Sequence, residues 1–338
     1  MTFRFCDGMD SYATTANLNI RWNTVTQTNI STTGGRFGGG ALTSAASNPY
    51  SMAIIKSVSI PSGAKVRIGM SYKYGTGAAP NGVNTSYPIL ALNNSHILGM
   101  NTSGMLVVTT LGATTAQITS TIAMTDTSFH WIELEYQLNG ASGSAQLYVD
   151  GILQGTVTAN LGAAAAISTI TFGGGYVFGG SAWIDDVIVW DDQGTSFNTY
   201  PLGPRRISTL LPNADGDLAQ FTPKTGTAHY AMVNGGYTSG NYVSDAGTGN
   251  IDLYKFLPLS YTPVDVNAVV GNYYGQNSGS GTTSLIPKLK TGTTTISGTT
   301  LTLPVGALAL FQSPFMTDAS GTAWNAAAVN AMQLGMGD

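Results

Sequence analysis

Charge is what this chain most lacks. Of 338 residues only 9% are Asp, Glu, Lys or Arg, against roughly 25% in an average soluble protein. Only two glutamates occur, Glu133 and Glu135. Solubility then rests on hydroxyls and amides, and little like-charge repulsion opposes the packing of copies against one another. A single cysteine, Cys6, excludes an internal disulfide framework and reads as a buried thiol near the first strand. The three histidines, His96, His130 and His229, are too scattered to form a metal centre and read as structural. No apolar run approaches the ~18 residues of a membrane span. Met1-Thr2-Phe3-Arg4-Phe5 lacks the apolar core of a secretory signal. The expectation is a product without membrane insertion that stays in the cell where it is made. A net charge of −4 with no basic cluster argues against nucleic acid as a partner.

Catalytic signatures are also scarce. There is no Gly-x-Ser-x-Gly elbow and no phosphate-binding Gly-x4-Gly-Lys-Ser/Thr loop. Gly173-Gly174-Gly175 and Gly179-Gly180 have no helix signal after them, so they read as turn glycines. Glu133 and Glu135 are two apart on one strand and share a face, a spacing that permits a carboxylate pair for glycoside chemistry. A solvated strand face is the plainer reading, because Ile132, Leu134 and Tyr136 form the apolar set. The expectation is a chain that is not an enzyme.

What the chain has instead is Gly, Thr, Ser, Asn and Tyr, a composition of strands and turns. His130–Leu138 and Ala145–Val149 alternate on either side of Asn139–Ser144, and Asp150-Gly151 tolerates the positive φ of a tight turn. Further strands are expected at 51–59, 64–74, 87–92, 96–99, 104–110, 115–123 and 183–190, short and evenly punctuated as in a sandwich. Thr199–Arg206, with two prolines and a glycine, reads as a linker. Beyond it, strands are expected at Val264–Val270, Thr283–Lys290, Leu301–Leu303 and Ala307–Gln312. A closing helix would be capped by Thr322, present Trp324, Ala328, Ala331 and Leu334 on one face, and stop at Gly335. The fold class is all-β: two β-sandwich or jelly-roll domains, 1–195 and 207–338, joined by a linker at 196–206, with one short C-terminal helix.

The Trp131 strand followed by a strand ending Val149-Asp150-Gly151 resembles the laminin-G/concanavalin-A-like jelly roll. Phe5, Asp10-Ser11-Tyr12, Trp22, Gly35-Arg36-Phe37-Gly38-Gly39 and Trp183-Ile184-Asp185-Asp186-Val187 resemble that domain in tailed-bacteriophage structural proteins. Leu211–Gly216, Phe221-Thr222-Pro223, Asp252-Leu253-Tyr254 and Trp324…Ala331 continue the likeness in order. The resemblance implies pairing of the first and last strands of the domain. It also implies a minor structural protein of the virion, made in the host bacterial cytoplasm and associated with tail, baseplate or fibre. A capsid decoration protein and a carbohydrate-binding adhesin are the alternatives, and a glycoside hydrolase or lyase is a third class that the jelly roll supports.

No cofactor is expected apart from calcium, which laminin-G-like domains often hold. Its candidate ligands are Asp185 and Asp186, which alternation sends to opposite faces, and Asp215 and Asp217, for which an Asx turn is the plainer reading. Candidate contacts for a host-surface glycan are Trp183, Trp190, Tyr273 and Tyr274. The expected partners are other virion proteins and further copies of the chain, in a trimer or a ring. Trp324 on the closing helix is the candidate assembly contact, unless that helix plugs its own sandwich.

Overall fold

The computed structural model describes residues 2–44, 52–75, 88–173, 182–195, 199–235, 240–245, 247–280 and 283–338. Gly174, Gly175, Gly179, Gly180 and the outer ends of two expected strands, at 51 and 87, lie outside the described residues. Strands make up 52% and helix 6%, and the sheets are antiparallel. The chain forms two compact units, Met1–Ile207 and Ser208–Asp338.

The first unit is a sandwich of two sheets. One has eight strands, in the spatial order Ile152–Ala159, Gly143–Val149, Phe129–Gln137, Lys65–Tyr74, Ala182–Asp191, Ala41–Ser44 and Thr28–Ser31, with Thr2–Asp7 also paired to Ala182–Asp191. The other has seven: Ala116–Ala123, Met105–Thr109, Ser95–Met100, Leu90–Leu92, Ile167–Gly173, Ala53–Ile60 and Thr24–Thr26. Ile132, Leu134 and Tyr136 are buried between the sheets, with Ile68, Met70 and Tyr72 beside them. The Tyr136 hydroxyl crosses to the second sheet and donates to the Thr109 carbonyl at 2.9 Å. Gly155 marks a close approach of the sheets: a Cβ there would stand 2.7 Å from Ile118 of the facing sheet. Asp150 and Gly151 adopt φ of 52° and 80°, the left-handed pair that a two-residue hairpin turn requires.

The stretch expected to link two domains packs on the first one instead. Residues 199–207 belong to the first unit and lie as a strap against the eight-stranded sheet, on the face turned away from the sandwich interior. Leu202 is buried, and the Tyr200 hydroxyl donates to the Gln146 carbonyl at 3.0 Å. Pro201 and Pro204 keep the strap out of any ladder, since proline has no N–H to offer one.

The second unit has a six-stranded sheet, in the order Pro212–Ala219, Ile251–Phe256, Gln333–Gly337, Thr283–Thr291 and Thr294–Ser297, with Leu301–Leu303 also on Thr283–Thr291. A ribbon of Val269–Gly275 and Ala309–Phe315 packs on it, and Tyr273 and Phe315 of the ribbon share a core with Leu289 and Leu334 of the sheet. The strand expected at Val264–Val270 begins at Val269 instead; Val264, directly after Pro263, is fully exposed. The closing helix is shorter than expected. It spans Ala326–Ala331 and is capped by Asn325, whose side chain accepts from the Ala328 amide, while Leu334 and Gly335 belong to the last strand. Trp324 is 4% exposed and its indole donates to the Phe315 carbonyl at 2.8 Å. It is a core residue of its own unit, which removes it as an assembly contact.

Candidate functional site

The outer face of the eight-stranded sheet is built in rungs, because residues opposite one another in an antiparallel sheet share a face. Across Phe129–Gln137, Lys65–Tyr74 and Ala182–Asp191, the rungs are Phe129, Lys73, Trp183; then Trp131, Ser71, Asp185; then Glu133, Gly69, Ile188; then Glu135, Arg67, Trp190. The first rung continues through Thr43 and Asn29 on two further strands.

The strap covers one half of this face. Expected on a solvated face, Glu133 and Glu135 are in fact 0% and 3% exposed. Glu133 accepts the Leu202 and Gly203 amides at 2.6 and 2.8 Å, and so holds the strap down. Burial pushes its carboxyl up by more than those two amides pull it down. Glu135 takes Lys65 at 2.8 Å and both Nε and Nη2 of Arg67 at 2.7 Å. The Arg67 guanidinium also lies over the Tyr200 ring, 5.1 Å from its centre, and Tyr200 is edge-on to Tyr148. The Trp131 indole fills the space that the missing side chain of Gly69 leaves. Trp190 is fully buried near Tyr200, so it leaves the set of glycan contacts.

Among the described residues, no strap crosses the other half. Lys73 Nζ sits 4.2 Å from the Trp183 ring centre and 4.8 Å from that of Phe129, a cation against two half-buried aromatics. Burial pulls the Lys73 ammonium below its ordinary value. Next to Trp183, the loop 34–40 approaches so closely that a Cβ on Gly34 would stand 3.3 Å from the indole nitrogen. The loop presents Phe37, 49% exposed, with the guanidinium of Arg36 at 5.0 Å and that of Arg206 at 4.5 Å from its ring centre.

Between the halves sits the Asp185–Asp186 pair, and here simple alternation fails. A bulge inserts one residue between Asp185 and Ile188, and Asp186 has φ of 52°. Both carboxylates are therefore drawn to the strap side. Asp185 accepts the Arg36 amide at 2.9 Å; Asp186 accepts the Ser71 hydroxyl at 3.1 Å and the Ile207 amide at 2.7 Å. Burial and the charge of its neighbour push Asp185 up to about 8, and burial pushes Asp186 up to about 6. These oxygens are engaged by protein donors. Among the described residues no group of three or more His, Cys, Asp or Glu is placed to hold a metal ion.

In the second unit, Asp215 and Asp217 lie on a strand, where an Asx turn was expected, and engage different partners. Asp215 accepts the His229 and Tyr230 amides at the start of a short helix, and Asp217 pairs with Lys290. Tyr273 is in the core, which removes it as a glycan contact, whereas Tyr274 is 38% exposed. Of the aromatic candidates, Trp183 is the one gathered with accessible aromatic and basic neighbours. Sequence reasoning missed Lys73, Phe129, Arg206, Thr43 and Asn29; the Arg36-Phe37 dipeptide among glycines was the one local signal.

No protein-family model and no curated protein matches the chain. Among solved structures it is similar to an alginate lyase in complex with alginate trisaccharide: TM-score 0.37, 11% identity, covering 55% of this chain and 97% of that one. It is similar to the endo-β-1,4-glucuronan lyase of Trichoderma reesei: TM-score 0.31, 12% identity, covering 52% and 92%. The Emp47p carbohydrate recognition domain gives a TM-score of 0.29 at 11% identity, covering 51% and 88%. At these values the likeness is one of general fold, that of a β-sandwich. It corrects the expectation of a chain without catalysis: structures of this general fold include two polysaccharide lyases, so the fold gives no ground for setting catalysis aside.

Proposed function

We propose that the first unit is a saccharide-binding module, and that the protein carries it on a virion surface to attach to host glycans. The observation that carries the reading is the open rung: Asn29, Thr43, Trp183, Lys73 and Phe129 on five adjacent strands. At about 4.8 Å per strand the rung is roughly 19 Å long. Sugar rings present an apolar C–H face and a rim of hydroxyls, and this rung offers two aromatic rings beside an amide and a hydroxyl. The strap supports the reading, because it seals one half of the sheet face and does not reach the half-buried Trp183, Lys73 and Phe129 among the described residues. The virion setting rests on the ordered resemblance of both units to phage structural proteins.

The test is a glycan array probed with the whole protein and with Trp183→Ala. Binding by the parent and its loss in the variant is the expected result. An array with no binding at all, or binding unchanged by the substitution, overturns the reading. Reducing-end and unsaturated-product assays on the bound glycans then decide whether the module also cleaves what it holds. Electron microscopy of intact particles tests the virion setting.

A further inference from the structure

We propose that the saccharide taken by the open rung is an acidic one, a uronate or sialate whose carboxylate is held by Lys73 with Arg36 and Arg206 beside it. The inference rests on the saccharide-binding reading and adds the charge of the ligand to it.

Lys73 is the first observation. Its ammonium has neither a hydrogen bond nor an ion pair with any described residue, although the side chain is half-buried against two rings. The two other cations on the same strand and face, Lys65 and Arg67, both pair with Glu135. Removing a charge from water without a counter-ion is unfavourable, and the rings return only part of that. The site is thus short of one anion.

Arg36 is the second. Its Nη1 donates to two neutral acceptors, the Ser71 hydroxyl at 3.3 Å and the Arg205 carbonyl at 3.1 Å, and its charge acts on Asp186 only through space, beyond Ser71. Ser71 lies two residues from Lys73 on the same face, about 7 Å away at the backbone, so Arg36 Nη1 stands at the rung next to that of Lys73. The guanidiniums of Arg36 and Arg206 both rest on the exposed Phe37 ring. Lys73 thus lies against the rung itself, and Arg36 and Arg206 against Phe37 of the loop that packs beside Trp183. A ligand with pyranose rings and a carboxylate satisfies both features at once; a neutral sugar satisfies only the aromatic one.

The experiment uses the whole protein on surfaces carrying polygalacturonate, polymannuronate, hyaluronan and polysialate, and on the methyl esters of the same polymers, with neutral glycans alongside. Esterification removes the charge and keeps the rings. At least one acidic polymer should bind about tenfold more tightly than its ester, as loss of one charge-assisted hydrogen bond requires, and the difference should shrink as salt rises. Lys73→Met keeps an apolar stem against the rings and should abolish the difference, while Lys73→Arg retains it; thermal unfolding checks that both variants are folded. Equal binding to acid and ester, or binding to neutral glycans alone, overturns the acidic ligand and leaves the saccharide-binding reading standing. No binding to any glycan, charged or neutral, overturns both.

Discussion

Two halves of one sheet face are made from the same strands and treated in opposite ways. Under the strap the cations have a carboxylate, Arg67 and Lys65 sharing Glu135, and Glu133 is met by two amides. In the open half Lys73 has two rings and, among the described residues, no anion. The strands run on from one half to the other, so the difference comes from side chains and from where residues 199–207 lie. The covered half is finished as a folding element, with its charges satisfied internally. The open half keeps a cation that no described carboxylate meets, which is why the proposed site is placed there.

The largest effect should come from the covered half. Arg67→Met leaves Glu135 buried with Lys65 as its cation, and should cost about 3 kcal/mol, near the lower end for a broken buried pair because one cation remains. Chemical denaturation measures it; a loss below about 1 kcal/mol, the range of an exposed pair, would show that water reaches Glu135. Next, Glu133→Ala strips the acceptor from two strap amides and should cost about 2 kcal/mol. Hydrogen exchange at Leu202 and Gly203 should accelerate together; unchanged protection would mean that packing of Tyr200 and Leu202 alone secures the strap.

A third test addresses the boundary between the halves. Asp185 and Asp186 are raised in the folded protein to about 8 and about 6, so above the ordinary carboxylate range the folded state binds more protons than the unfolded one. Their contribution to stability is fully present below the unfolded value of about 4 and is lost as pH rises through the folded values. Asp185→Asn should flatten that part of the pH–stability curve, and an unaltered slope would show the pair to be ionised at neutral pH. The smallest effect belongs to the open half. Lys73→Met should change stability by under about 1 kcal/mol, since it removes a cation–π contact together with the burden of a half-buried charge. A larger loss would turn the open rung into a structural feature and erase the contrast.

How much of this was legible follows from the range of the interactions involved. The hairpin closing on Asp150-Gly151 was readable because alternation and turn chemistry are local signals. The face shared by Trp131 and Glu133 was readable for the same reason. That this face is buried was not, because its cover comes from Tyr200 and Leu202, far along the chain, and the prolines beside them carry the same signature as a free linker. The bulge at Asp186 was equally hidden: with one inserted residue, Ile184, Val187 and Val189 still read as part of a plain strand. Trp183 was read as an aromatic candidate for a glycan contact. Its true neighbours, Lys73 and Phe129, sit on other strands and become visible only with the register.

The pairing of Thr2–Asp7 with Ala182–Asp191 brings the two ends of the first unit's sheet sequence together. The central strand Lys65–Tyr74 has one long-range partner in Phe129–Gln137 and another in Ala182–Asp191, so the sheet closes only after distant segments meet. Such non-local pairing makes for slow folding. The strap follows the last strand of its unit, and its amides at Leu202 and Ile207 are held by Glu133 and Asp186 on two different strands. The strap thus works as a clasp read by two strands at once: Glu133 on Phe129–Gln137 and Asp186 on Ala182–Asp191 hold it at both ends, so a slip of either strand would release one end of the cover.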